Sequence, residues 1–223
     1  MPLPITDNEK TRLLNQIFVL FAQCGFDGIS MDEVAKQIKL SKATMYKYFK
    51  SKEDIVRDMV HEMIAHLNSV EFAFDNGIDG VLESTETVYF KGIITAAYIT
   101  SKFIADLQNK FPDIYDGYVS ALNALEERFK IFYELAAQNG YYKRLSIRLV
   151  GEQFKMMLPT IISNEYISTH DTTLRDVIME YYKILLYQIL SEEYLFIAEQ
   201  ENAYSFADEL VEILKDKLPS NKT

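Results

Sequence analysis

Ser41-Lys42-Ala43-Thr44-Met45-Tyr46-Lys47-Tyr48-Phe49-Lys50-Ser51-Lys52 decides how the rest of the chain is read. Ser41 has the hydroxyl of a helix N-cap and predicts a short helix to about Tyr48. Ser51, with Glu53 and Asp54 just behind it, predicts the start of a longer helix whose acidic first turn suits the macrodipole. On the short helix Met45 and Phe49 share one edge, with Leu40 before them. Lys42, Ala43, Lys47 and, at the border, Tyr46 lie elsewhere and are free to reach outward. From Lys36 to Lys52 there are six lysines and no Asp or Glu, although the chain carries a net charge of −10. A cationic patch confined to one end of an anionic protein points to a phosphate backbone.

Working upstream, Ser30 precedes Met31-Asp32-Glu33, and a Glu three residues after a Ser is the capping-box pattern. It predicts a short helix to about Ile38, with Val34, Ala35 and Ile38 facing inward and a turn at Lys39-Leu40. A first helix is expected over about Asp7 to Gln23. Leu13, Ile17, Leu20 and Cys24 recur at helical spacing, Leu14, Phe18 and Phe21 widen the stripe, and Gly25 stops it. Two short helices joined by a tight turn and braced by a third make a helix-turn-helix over residues 30–49. Its outer face suits the major groove. Lys42 and Lys47 can donate to guanine O6 and N7, Ala43 can touch a thymine methyl, and Tyr46 borders them. Ser41, Thr44 and Tyr48 suit phosphate. Lys52 adds a charge to the free backbone N–H groups of a helix start.

These residues resemble the DNA-binding segment of the TetR family of bacterial regulators. The likeness runs from Phe21-Ala22-Gln23-Cys24-Gly25-Phe26 and Ile29-Ser30, through Ser30-Met31-Asp32-Glu33-Val34-Ala35, to Leu40 through Glu53. It covers roughly residues 7–67. Lys39 stands where the family usually has a turn glycine, so a lysine is expected at φ > 0. Asp32 falls where some members contact DNA; it can accept from cytosine N4 or support the helix N-terminus. The resemblance implies a homodimer, a three-helix head, and a helical body over 68–223 that binds a small effector and moves the heads. Most members of the family repress transcription.

Composition agrees with a two-part chain. Residues 1–60 hold nine Lys/Arg and eight Asp/Glu, and residues 61–223 the other fourteen and twenty-five. Length is ample for a core. One cysteine suits a reducing compartment, no apolar run approaches a membrane span, and no signal core opens the chain. A cytoplasmic protein without a membrane partner is expected.

Helical periodicity continues after residue 68, with no alternating run of strand length. Spans of about 52–74, 81–109 (with a break near Gly92), 113–138, 143–163, 172–200 and 204–217 are predicted. In 143–163, Ile147, Val150, Phe154, Met157 and Ile161 form one apolar face, and Leu145, Leu149 and Met156 a nearly opposite one. The helix 172–200 is apolar almost all round, so it must be covered twice; the resemblance places the dimer bundle on these two helices. Tyr98, Phe103, Tyr118, Leu122, Phe129, Phe132, Phe154 and Met157 are expected to line a mostly apolar pocket, though plain core packing serves each of them as well. Glu126 is expected to pair with Lys130 on its own helix, or to meet a cationic ligand.

Other chemistries are not supported. His61 and His66 are five apart, so their rings diverge around a helix, and with His170 they make no metal site. Cys24 reads as a core thiol. There is no phosphate loop and no Ser-His-Asp set. The sequence therefore predicts an all-α regulator and no enzyme, with no metal and no cofactor. It is expected to bind a near-palindromic DNA operator as a homodimer and to be released by a small apolar or amphipathic effector. The alternative is a helical protein-interaction module that has lost DNA binding.

Overall fold

A computed structural model describes residues 9–200 and 204–214; the expected helix start at Asp7 and end at 217 lie outside them. The described residues form twelve helices and no strand. Four make up the N-terminal region: α1 (Glu9–Cys24), α2 (Met31–Gln37), α3 (Lys42–Tyr48) and α4 (Lys52–Asn68). Then come α5 (Ile78–Tyr98), α6 (Ser101–Lys110), α7 (Pro112–Gln138) and α8 (Ile147–Ile161). The last four are α9 (Asn164–Thr169), α10 (Leu174–Ile189), α11 (Glu192–Gln200) and α12 (Tyr204–Leu214).

The helices divide into two compact units. The first holds the chain up to Ser69 together with 98–124, and the second holds 70–97 and the remainder from Leu125. In the first unit, Leu13, Leu14, Ile17, Phe18 and Phe21 of α1 are buried, as the stripe predicts, with Val34, Ala35, Met45 and Phe49 of the short helices and Ile55, Val56, Met59, Val60 and Met63 of α4. Leu20, Ile38 and Leu40 are half-buried, and the Cys24 side chain lies outside those described. Edge-to-face and stacked rings fill the rest: Phe103 stands 6.1 Å from Phe18 and 5.5 Å from Phe26, and Phe111 stacks on Phe26 at 5.8 Å.

Four predicted spans are redrawn by local backbone chemistry. Helix α4 ends at Asn68 rather than near Phe74, because Ser69 caps it through an N–H bond to Ala65 O. The long helix at 81–109 does break, but at 99–100, where the Thr100 hydroxyl accepts the Phe103 N–H and starts α6. Gly92 stays inside α5; a Cβ there would run into the Phe154 ring, so the glycine is used for close packing. The span 143–163 begins as helix only at Ile147, because Lys143 N donates to Ile189 O in an extended strap beside an isolated bridge between Tyr142 and Leu190. That bridge needs Leu190 extended, so the span 172–200 splits into α10 and α11.

In the second unit, Tyr89 is 1% exposed and donates to Ile178 O at 2.6 Å. Its ring meets Phe154, Tyr182 and Phe206 at 5.6, 4.9 and 6.2 Å. A second aromatic group joins Phe72, Phe74, Phe129 and Phe132. No helix among the described residues is long and apolar enough to cross a membrane.

Candidate nucleic-acid interface

The head is assembled from caps. The Ser30 hydroxyl accepts the Glu33 N–H at 3.3 Å, and the Glu33 carboxylate accepts the Ser30 N–H at 2.8 Å. Each closes an orphan donor of α2, and the Ser30 hydrogen bonds hold the Glu33 carboxyl below the usual range. Helix α2 then stops in a Schellman turn. Lys39 takes φ 57°, its N–H bonds to Lys36 O at 3.2 Å, and the Leu40 N–H bonds to Ala35 O at 2.8 Å. The lysine in place of the usual glycine thus adopts the left-handed conformation expected of it. Ser41 caps α3 by accepting the Thr44 N–H at 3.1 Å, and the two hydroxyls are 2.7 Å apart.

With Met45 and Phe49 buried, α3 has one inward edge and presents the remainder to solvent. Lys42, Ala43 and Lys47 are exposed, and Tyr46 is 51% exposed. Thr44 and Tyr48 are half-buried. The Lys47 ammonium lies 5.7 Å from the centre of the Tyr48 ring, a cation–π contact that steadies both at the border of the face. Lys36, Lys39 and Lys50 are exposed as well. One helix face thus carries charge, an aromatic ring and a methyl group, the set that reads base edges and sugar-phosphate together.

Two residues do something the sequence did not specify. Asp32 forms an ion pair with Lys42, and this pair holds the Lys42 ammonium above the usual lysine range. The acid of α2 therefore aims a lysine of α3. Lys52, expected at a phosphate, has an ammonium that donates to Phe26 O, Asp27 O and Ile29 O at 2.8, 3.2 and 3.0 Å. An ammonium has three donors, and all three are spent on the loop between α1 and α2. No local pattern announces this bond across 23 to 26 residues. The same loop is held from the other side by Asp106 of α6, 80 positions away, which sequence periodicity had no means to place.

The residues expected to line an apolar pocket fall in both units. Phe103, Tyr118 and Leu122 belong to the first unit, Phe103 packed in its core and Tyr118 buried, where burial pushes its hydroxyl pKa up. In the second unit, Phe129 and Phe132 pack with Phe72, whereas Phe154 packs against Tyr89 and, at 6.0 Å, Tyr181. Met157 is 42% exposed on α8. The Tyr98 side chain lies outside those described. Core packing, the other reading open for each residue, describes the buried ones. Glu126 pairs with Lys155 of α8 at 2.5 Å, and Lys130 with Glu127, so the expected Glu126–Lys130 pair is replaced. A cavity of about 490 Å³ does open between α5 and α12, but its lining is acidic: Asp79, Glu83, Glu86 and Glu209, with Thr87, Phe90 and Phe206.

Exposed apolar residues lie on α8 and α10, among charged ones such as Glu152, Lys155 and Lys183. Leu149 and Met156 are 63% and 75% exposed, and Ile184 and Tyr187 about half exposed. The opposite sides of these helices, through Leu158, Ile161, Val177, Ile178 and Leu186, are buried. Each helix thus has a buried apolar side and, opposite it, large apolar side chains left exposed in a single chain.

Comparison with known proteins agrees with this geometry. The biofilm operon icaADBC HTH-type negative transcriptional regulator IcaR of Staphylococcus epidermidis is 28% identical over 122 residues, which cover 54% of this chain and 59% of that protein. Its Staphylococcus aureus (strain Newman) counterpart is 22% identical over 161 residues, 71% of this chain and 82% of that one. The solved structure of the ketosteroid transcriptional regulator KstR2 of Mycobacterium tuberculosis shares the fold. It superposes with a TM-score of 0.61 at 14% identity, over 86% of this chain and all of that one. Residues 13–59, which hold α2, α3 and the flanking parts of α1 and α4, match the model of bacterial regulatory proteins of the tetR family.

Proposed function

We propose that this TetR-family transcriptional regulator binds a near-palindromic DNA operator as a homodimer, represses the adjoining promoter, and is released by a small apolar or amphipathic effector. The observation that carries the reading is the exposed face of α3, Lys42, Ala43, Tyr46 and Lys47, backed by a buried Met45 edge. These four are assigned to base edges, and Ser41, Thr44 and Tyr48 to phosphate. Lys52 is reassigned: its hydrogen bonds set the α1–α2 loop. Two such heads on a two-fold axis impose their symmetry on the DNA. The exposed Leu149, Met156, Ile184 and Tyr187 of α8 and α10 support that axis, since large apolar side chains left uncovered together mark an interface. Repression is supported by the negative regulators to which the chain is similar. A groove reader of chromosomal DNA works in the bacterial cytoplasm.

Selection of duplexes from a random-sequence pool tests this function. The expected result is enrichment of an inverted repeat with half-sites about one helical turn, or a multiple of one, apart. Failure to enrich any sequence, with no retention of duplex at low ionic strength, favours the alternative of a head that docks protein instead of DNA.

A further inference from the structure

We propose that Asp106 of α6 is a positioning residue for DNA recognition, clamping the α1–α2 loop from which the reading helices are hung; this rests on the head binding DNA as set out above. The Asp106 carboxylate Oδ2 accepts the backbone N–H of Phe26 at 2.8 Å and of Asp27 at 3.1 Å. Charge-assisted bonds from two successive amides are strong and directional. The carbonyl side of the same loop is taken by the Lys52 ammonium, through Phe26, Asp27 and Ile29. A loop of about six residues is thus gripped by an acid on its donors and a base on its acceptors, and α2 starts directly behind it.

The approach is built into the sequence at Gly25. This residue sits at φ +74°, and a Cβ there would run into Asp106 Oδ2 and the Lys102 side chain. Glycine therefore provides both the left-handed turn and the room for the carboxylate. Around the clamp, Lys110 pairs with the Asp27 side chain at 3.2 Å, and Phe103 and Phe111 pack on Phe26. The Asp106 carboxylate bonds to the loop, and α3 is not among its hydrogen-bond partners in the described residues. Its effect on recognition passes through the loop, α2, and the Asp32–Lys42 pair that joins α2 to α3.

The test uses the full chain and a duplex that the unaltered protein has selected from a random-sequence pool. Asp106→Ala should lower affinity for that duplex about tenfold, the scale of losing hydrogen bonds to a charged acceptor. The dependence of affinity on salt should keep its slope, because no phosphate contact is lost. Asp106→Asn retains an oxygen acceptor and should recover most of the affinity. Hydrogen exchange of the Phe26 and Asp27 amides should speed up in Asp106→Ala and stay slow in Asp106→Asn. Gly25→Ala, which displaces the carboxylate, should reproduce the Asp106→Ala loss. The proposal is overturned if Asp106→Ala binds like the unaltered chain, or if Asp106→Asn is as weak as Asp106→Ala. Should the unaltered chain select no duplex, the DNA-binding reading falls; exchange at the two amides that is fast in the unaltered chain would sink the clamp itself, whatever the DNA result.

Discussion

Lys39 carries two opposed consequences of one side chain. At φ 57° a Cβ is strained where glycine is at ease, and the Schellman bonds around it leave the turn no other shape. Lys39→Gly should therefore stabilise the head by about 1 kcal/mol, read as a rise in thermal midpoint. The same change removes an exposed cation beside the DNA-facing helix, so affinity for all duplexes should fall and the salt slope become shallower. A loss of stability would mean that the turn is held by something other than its backbone. Lys47→Ala and Lys42→Ala belong to the same scale. Each should relax preference at defined operator positions by about 1–3 kcal/mol of discrimination, measured by competition among single-base variants. Equal loss on every sequence would make them phosphate contacts and not readers.

Elements are held by caps, and these were the most legible part of the sequence. Ser30 with Glu33, Ser41 and Ser51 announce three helix starts within 22 residues, and each hydroxyl makes the bond its pattern implies. Ser30→Ala should cost about 1 kcal/mol and fray the start of α2, visible as lost protection of the Glu33 amide and unchanged protection in α10. The positive-φ lysine and the inward set of Val34, Ala35, Met45 and Phe49 were readable for the same local reason. What could not be read is long-range. Lys52 had the look of a phosphate ligand until the loop carbonyls came within its reach. For the aromatic residues, periodicity reports which face is buried and not against what. The split of 172–200 depends on Leu190 meeting Tyr142, which no helical count reveals. Lys52→Ala now carries a different expectation from that of a phosphate contact. It should loosen the α1–α2 loop and lower the stability of the head by about 1–3 kcal/mol, the cost of leaving carbonyls without partners, with little change in salt slope.

At the scale of the molecule, two requirements meet: a cationic reading face at one end of an acidic chain, and a set of exposed apolar side chains on α8 and α10. A charge introduced into the second should disable the first. Leu149→Glu with Met156→Glu should give a monomer in sedimentation, with operator affinity reduced at least about a hundredfold by loss of the linked second head; a variant that remains dimeric would relocate the interface. On the proposed reading the acidic residues 61–223 leave DNA contact to the lysines around α3, so binding should weaken steeply as salt rises. The most direct test of the whole account is the mass of the complex formed with a selected inverted-repeat duplex at low ionic strength. Two chains, or a multiple of two, bound symmetrically on each duplex is the predicted result. A single chain on the duplex, or no complex at all, would contradict it.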